Sequence, residues 1–393
     1  MGKMDNLEFV DLREELEKNH IAWDSPACCS SKESSYSLLR AQMQGTFQFS
    51  REGVWIKDFE HDKKCLSLLH LAKQKSCDLV LFPEYCISDQ VLWDIVSDEA
   101  LWPENRKLWV LPCQGMTKDQ FQAFIENLSK NNRVFLLDTA CTSRRVTFNH
   151  FVTVLFYCFL GYQGDASILC LVPQLKTQPM GDQDCLCEQA GMATGSVVFT
   201  LEQRLLTLLC ADSMNNELTW QRLQEEGLLM SGLTILHPQL NGHPKDQVFS
   251  RLRWELFERG TPGVYITCNW AAGTTLSSPE CQEAAKTIDL SWSCLYRKHA
   301  DDIFEKWERN YSLRRNNEAH GLFGTIMKPK RTEVWFSLSH EEALELRIPN
   351  LDFNGYGKLS VPDIHAQAHL CYDQGTRNWV EQAAKSETLQ QRI

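Results

Sequence analysis

Leu79–Val80–Leu81–Phe82–Pro83–Glu84–Tyr85 (LVLFPEY) is a short apolar run closed by a proline and followed at once by a carboxylate. A continuous apolar run bounded by a breaker reads as a strand buried on both faces, the kind found in parallel sheets between helices. Two other stretches share this form. Leu171–Pro179 (LVPQLKTQP) delivers Lys176, and Leu205–Glu217 (LLTLLCADSMNNE) delivers Cys210. In layered α/β folds reacting groups gather at the carboxyl ends of the strands, so these three stretches predict an α/β domain with Glu84, Lys176 and Cys210 at one sheet edge. Strands and helices alternate from Tyr36 to Phe159, with helical spacing over Cys65–Lys75 and Lys118–Leu128 and a strand over Val134–Asp138.

The three residue types form a chemical set. A free thiol with a pKa of roughly 8.5 is mostly protonated at neutral pH and needs a neighbouring base or cation to become a nucleophile. Glu84 would take the Cys210 proton and later hand it to a leaving amine, and Lys176 would stabilise the thiolate and then an oxyanion. The backbone N–H of Ala211 would help. The bland reading of a lone cysteine after a strand is a small core hydrophobe; the ordered trio is what argues against it.

These residues resemble the carbon–nitrogen hydrolase (nitrilase) superfamily, whose catalytic Glu, Lys and Cys come in this order. Leu79 to Glu84 matches its hydrophobic-hydrophobic-FPE motif, and Cys210, Asp212 and Glu217 fit its C-x-D-x-x-x-x-E pattern. Lys176 sits where the family places its lysine. Tyr36–Met43 is similar to the family's first strand, Gly195–Phe199 with Leu205–Leu209 to the hairpin before the nucleophile, and Arg251–Gly273 to a helix and strand ending near Asn269. GLFGTIMKPKRTEVWF (321–336) is similar to its closing hairpin. The resemblance implies a four-layer αββα sandwich and assembly as a homodimer or higher oligomer; no metal and no cofactor are expected. It also implies substrate contacts from Ala211, Asp212 and Asn269. The family's second glutamate has Asp182, Asp184 and Glu188 as candidates, and Glu188 is favoured by the glycine-rich turn after it; a solvated acidic loop is the alternative. The chain departs from the pattern at Ala211 and at Met214–Asn216, where many members have Tyr and Arg-Phe-Pro, so substrate choice is not inherited.

The resemblance divides the chain into an N-terminal extension (1–35), a catalytic domain (36–345) with an insertion over about 274–320, and a C-terminal extension (346–393). Leu7–Leu16 is an amphipathic helix candidate, and Trp379 and Val380 are apolar anchors in a polar tail of the kind that docks on a partner subunit or a neighbouring domain. A formal net charge of −11 argues against a broad nucleic-acid surface, and the short basic clusters at Arg144 and Arg314 and the KPKR at Lys328 read as solvated faces or turns. Hydrophobic residues at 43% and charged ones at 23% are ordinary for a globular chain. Sixteen cysteines with a charged N-terminus that does not look like a signal peptide point to a reducing, cytoplasmic compartment, and no apolar run is long enough for a membrane helix. Cys28-Cys29 and Cys185-x-Cys187 fit zinc spacings poorly, while Cys158, Cys170 and Cys268 lie in apolar runs. His237 and His243 flank a Pro/Gly/Asn-rich loop and read as loop formers or pocket wall; a papain-like Cys–His pair, whose partners meet only in space, is a further arrangement.

Two readings of function follow. One is thiol-dependent hydrolysis of a non-peptide C–N bond in a small amide, carbamoyl compound or nitrile, with acyl transfer as a variant outcome. The other is an assembly or regulatory module, as in bacterial defence or other multi-protein systems, with weak or no catalysis.

Overall fold

The computed structural model describes residues 7–30, 32–50, 52–128, 130–137, 151–178, 192–193, 196–229, 232–242, 247–259, 261, 263–278, 285–288, 292–298, 322–327, 332–337, 341–350 and 364–382. Within these the chain is a mixed α/β fold built on two large sheets. One has nine strands in the order Asn378–Glu381, His365–Asp373, Glu342–Pro349, Ser35–Gln42, Leu79–Leu81, Leu108–Pro112, Val154–Gln163, Ala166–Leu175 and Val134–Leu136. The other has eight: Glu8–Asp11, Val197–Leu201, Leu205–Thr207, Leu233–Pro238, Gly263–Cys268, Ser293–Lys298, Thr332–Ser337 and Leu322–Met327.

Three apolar clusters explain why so many strands are apolar on both faces. Leu38, Leu79, Leu81, Val110 and Leu155 of the nine-stranded sheet pack against Leu205, Leu209, Leu236, Val264 and Ile266 of the other. The opposite side chains of the first sheet, among them Leu39, Val80, Trp109 and Leu111, meet Leu68 and Leu69 of helix His61–Gln74, Leu92 of helix Asp89–Ser97 and Phe124 of helix Lys118–Leu128. Those of the second sheet, including Val198, Leu206 and Ile235, meet Leu223 of helix Trp220–Glu225 and Leu252 and Leu256 of helix Gln247–Glu258. Burial of a large aliphatic side chain stabilises by about 1.5–3 kcal/mol, so a strand with apolar residues on both faces is drawn between layers.

The direction of the strands sets where the site falls. Ser35–Gln42, Leu79–Leu81 and Leu108–Pro112 run parallel, and Val154–Gln163 runs antiparallel to them. The hairpin partner Ala166–Leu175 reverses once more. It therefore ends at the same sheet edge as Leu79–Leu81, which is why Lys176 and Glu84 emerge together. Polar groups tie the sheets near this edge. Gln174 accepts from Phe199 N at 2.9 Å and donates to the Thr207 carbonyl at 2.8 Å, and Arg40 donates to Ser337 Oγ at 2.8 Å.

The segments read as terminal extensions supply strands of both sheets. Glu8–Asp11 pairs with Val197–Leu201, so the expected helix begins only at Leu12, where the Asp11 carboxylate caps Arg13 N. Glu342–Pro349 pairs along the whole of Ser35–Gln42, which places it well inside the sheet. Trp379 docks within its own chain, where its indole N–H donates to the Lys64 carbonyl at 2.9 Å; Val380 is exposed. Within the stretch read as an insertion, Ser293–Lys298 is a strand of the eight-stranded sheet. The basic clusters at Arg144, Arg314 and Lys328 lie outside the described residues.

Candidate functional site

Glu84 lies three residues beyond strand Leu79–Leu81, and Lys176 follows strand Ala166–Leu175 directly. Lys176 Nζ donates to Glu84 Oε1 at 2.6 Å, and both side chains are fully buried. The second carboxylate oxygen of Glu84 accepts from Leu240 N at 3.2 Å, and its backbone carbonyl accepts from the Trp270 indole at 2.7 Å. The ammonium also lies 5.8 Å from the centre of the Tyr85 ring. Burial alone would lower the Lys176 pKa, but the carboxylate of Glu84, with Tyr85 and Cys210 nearby, outweighs it and holds the pKa well above the ordinary lysine value.

Cys210 follows the other sheet's strand Leu205–Thr207 and opens the tight turn Cys210–Met214. Its φ is +41°, a left-handed conformation that costs a non-glycine residue roughly 1–3 kcal/mol and marks a sharp elbow held by its surroundings. Tyr85, beside Glu84, is also left-handed at φ +61°. The thiol is fully buried; burial and then the Glu84 carboxylate push its pKa up, with a thiol–carboxylate hydrogen bond among the causes, while Lys176 pulls it down. The resting sulfur therefore keeps its proton. With one carboxylate, one ammonium and one thiol the group is neutral, and it stays neutral when the proton moves from sulfur to Glu84, so the transfer places no net charge in the buried site.

Asp212 and Asn269 hold the elbow and its neighbouring loop. Asp212 Oδ1 accepts from Thr177 N at 2.7 Å, Thr177 Oγ1 at 3.0 Å and Gln178 N at 3.0 Å, and Oδ2 accepts from Leu209 N at 2.9 Å. One carboxylate thus binds the residues after Lys176 to the residue before Cys210. Asn269 accepts from Asn241 N and Trp270 N, each at 3.0 Å, and donates to the Asn241 carbonyl at 2.8 Å, fixing the loop that carries Leu240. Ala211 is buried beside them, and its N–H, in the first turn, has no acceptor within that turn. Glu188, Asp182, Asp184 and His243 lie outside the described residues.

His237 contacts the elbow at its backbone. Its Nε2 lies 2.7 Å from the Cys210 carbonyl, and Tyr265 Oη lies 2.8 Å from its Nδ1. Burial lowers its pKa to about 4. The neutral ring donates from Nε2 to the carbonyl and accepts from Tyr265 at Nδ1, so it orients Cys210 through the main chain. Sequence reasoning missed Tyr85, Gln174, Tyr265 and Trp270. Trp270 adjoins Asn269 in CNWAAG, and the large aromatic residues beside the motifs were the signal that could have found it. A charged cleft lined by Lys75, Asp78, Arg106 and Arg347 lies at the opposite strand ends from Glu84.

No protein-family model matches the chain, and no curated protein sequence matches it. Among the described residues, no helix is long and apolar enough to cross a membrane. Twelve cysteines there are unbridged, and three side chains of types that can ligate a metal, His61, Cys65 and Cys86, lie together in the core.

Proposed function

We propose that this chain is a thiol-dependent carbon–nitrogen hydrolase with a nitrilase-type four-layer αββα sandwich. The observation that carries the reading is the buried Lys176–Glu84 pair at 2.6 Å, from one sheet, with the Cys210 thiol of the other sheet near enough for the Glu84 carboxylate to raise its pKa and the Lys176 ammonium to lower it. Cys210 attacks the carbon of a small amide or carbamoyl compound as Glu84 takes the thiol proton. Lys176 and the Ala211 N–H stabilise the oxyanion of the tetrahedral intermediate. Collapse breaks the C–N bond, Glu84 returns the proton to the leaving nitrogen, and an acyl thioester remains. Water then attacks the thioester, giving its proton to Glu84; the acid leaves, and the thiol is regenerated. A nitrile would enter by the same attack, its nitrogen taking the proton. Asp212, Asn269 and His237 act through the backbone as positioning residues. A reducing, cytoplasmic compartment and a homo-oligomeric state belong to the same reading; the unbridged thiols support the former.

Turnover of a panel of small amides, carbamoyl compounds and nitriles tests it. Activity is expected in the wild type and lost in Cys210→Ala; turnover that persists in that variant assigns catalysis elsewhere. Iodoacetamide labelling of Cys210 should slow in Glu84→Gln and Lys176→Ala, and an unchanged rate in both removes the basis for a primed thiol. The full burial of Cys210 is the observation on the side of an assembly or regulatory module. A panel without turnover, together with unprimed labelling, would favour that second reading.

A further inference from the structure

His61 is the first residue of helix His61–Gln74, and Cys65 lies one turn later on the same face. Cys86 arrives from the segment beyond strand Leu79–Leu81, two residues after Glu84. All three are buried, with exposures of 1%, 0% and 0%. Cys65 Sγ lies 3.4 Å from His61 Nε2 and 3.8 Å from Cys86 Sγ, and Cys86 Sγ lies 3.7 Å from His61 Nε2. Tetrahedral zinc with Zn–S near 2.3 Å and Zn–N of 2.0–2.1 Å sets its ligand atoms about 3.5–3.8 Å apart. The three observed separations fall on or within about 0.1 Å of that range.

We propose that His61, Cys65 and Cys86 form a binding site for a zinc-type divalent cation, clamping the segment that carries Glu84 to helix His61–Gln74. Charge selects the ion. Two thiolates, one neutral imidazole and a divalent cation sum to zero, whereas a monovalent soft cation would leave a buried negative charge. Binding releases two protons, leaving Cys65 and Cys86 as thiolates and His61 neutral. His61 Nε2, which lies 2.6 Å from the Cys86 carbonyl, gives up that contact to ligate and carries its proton on Nδ1, which has no hydrogen-bond partner among the described residues.

The clamp reaches the candidate site by two routes. Cys86 is joined to Glu84 through Tyr85. The His61 ring also stacks on Trp270 with centroids 5.7 Å apart, and that indole donates to the Glu84 carbonyl. Paired-cysteine spacing does not reveal this set, because two ligands share a helix face and the third comes 21 residues after Cys65. The proposal does not depend on the hydrolase reading, since metal uptake is measured without any substrate.

The test uses the full chain, stripped with a chelator under reducing conditions and titrated with Co²⁺. One equivalent should bind with thiolate-to-cobalt charge-transfer absorption, and Zn²⁺ should displace it. Cys65→Ser and Cys86→Ser should each weaken binding by more than the ~100-fold that loss of an outer hydrogen bond to a ligand costs, while Cys210→Ser keeps it. In case the serine variants fold poorly, alkylation of the wild-type chain supplies a second readout. Zn²⁺ should slow labelling of Cys65 and Cys86 but not of Cys77, and slow hydrogen exchange over residues 82–87. Absence of the charge-transfer band, a band retained in Cys65→Ser, or a Cys65–Cys86 disulfide in the reduced, metal-treated protein overturns the proposal.

Discussion

Replacing Glu84 with Gln removes one charge from a pair in which both side chains are fully buried and 2.6 Å apart. The amide oxygen can still accept one hydrogen bond, so the main loss is electrostatic: Lys176 is left as an ammonium in the core without its paired carboxylate, with the Tyr85 ring 5.8 Å away and the more distant charge of Asp212 as attractive neighbours. Breaking a buried pair by removing one partner costs about 3–5 kcal/mol. Glu84→Gln/Lys176→Met, which removes both charges, should therefore be more stable than Glu84→Gln alone. Protonation gives a second signature. In the wild type the folded pKa of Lys176 is raised, so its contribution is fully present below the unfolded value of roughly 10.4 and is lost only above it. Glu84→Gln removes the largest charge opposing burial, so burial dominates, the folded pKa falls below the unfolded one, and the unfolded chain binds more protons in the interval between them. Stability of the variant relative to wild type should then rise with pH toward about 10, by at most ~1.4 kcal/mol per pH unit. Urea denaturation followed by tryptophan fluorescence near pH 7.5 and near pH 10 measures both effects. A loss under about 1 kcal/mol, unchanged between the two pH values, would refute the account of a coupled buried pair.

The remaining residues give sharper local tests. His237 has a folded pKa lowered to about 4, so its contribution is present above the unfolded value of roughly 6.5 and is lost as pH falls toward 4, by about 3 kcal/mol in all. His237→Gln does not titrate, so its acid denaturation should lack this component; parallel wild-type and variant curves would sink the assignment. Asp212→Asn places an amide N–H₂ against backbone donors and should cost ~1–3 kcal/mol by chemical denaturation; a neutral result would mean that its four hydrogen bonds do not hold the elbow. Gln174→Leu leaves Phe199 N and the Thr207 carbonyl unpaired between the sheets and should lose ~2 kcal/mol or more, with faster hydrogen exchange at Phe199 as the local readout.

Much of the local structure was legible because it rests on side-chain periodicity. The helix read at Lys118–Leu128 occurs with those bounds, and the strand read at Tyr36–Met43 occurs as Ser35–Gln42. The apolar run HFVTVLFYCFLGY (150–162) forms the short strand Phe151–Val152 and the long strand Val154–Gln163, whose ten residues pair in register with Ala166–Leu175. The terminal segments were read less well. A four-residue edge strand such as Glu8–Asp11 has too few residues to show a period, and what defines it is a hydrogen-bonded partner almost 190 residues away. The domain boundary was set at residue 345, which cuts strand Glu342–Pro349 in half although it pairs with the full length of Ser35–Gln42, because pairing over that separation leaves no local mark.

The sequence alone determined the chemistry on offer: a carboxylate, an ammonium and a thiol, each at the end of a strand whose apolar character forces it between layers. Only the tertiary structure decided that the carboxylate and the ammonium share one sheet edge, through the double reversal at Val154–Leu175, and that the thiol reaches them from the other sheet. It also decided what surrounds them. His237 meets the Cys210 carbonyl, Asp212 binds the backbone on either side, and His61, Cys65 and Cys86 converge behind Glu84. Strand formation is a local response to side-chain pattern, but the distance between two strand ends depends on how whole sheets pack, and that packing is summed over the entire core.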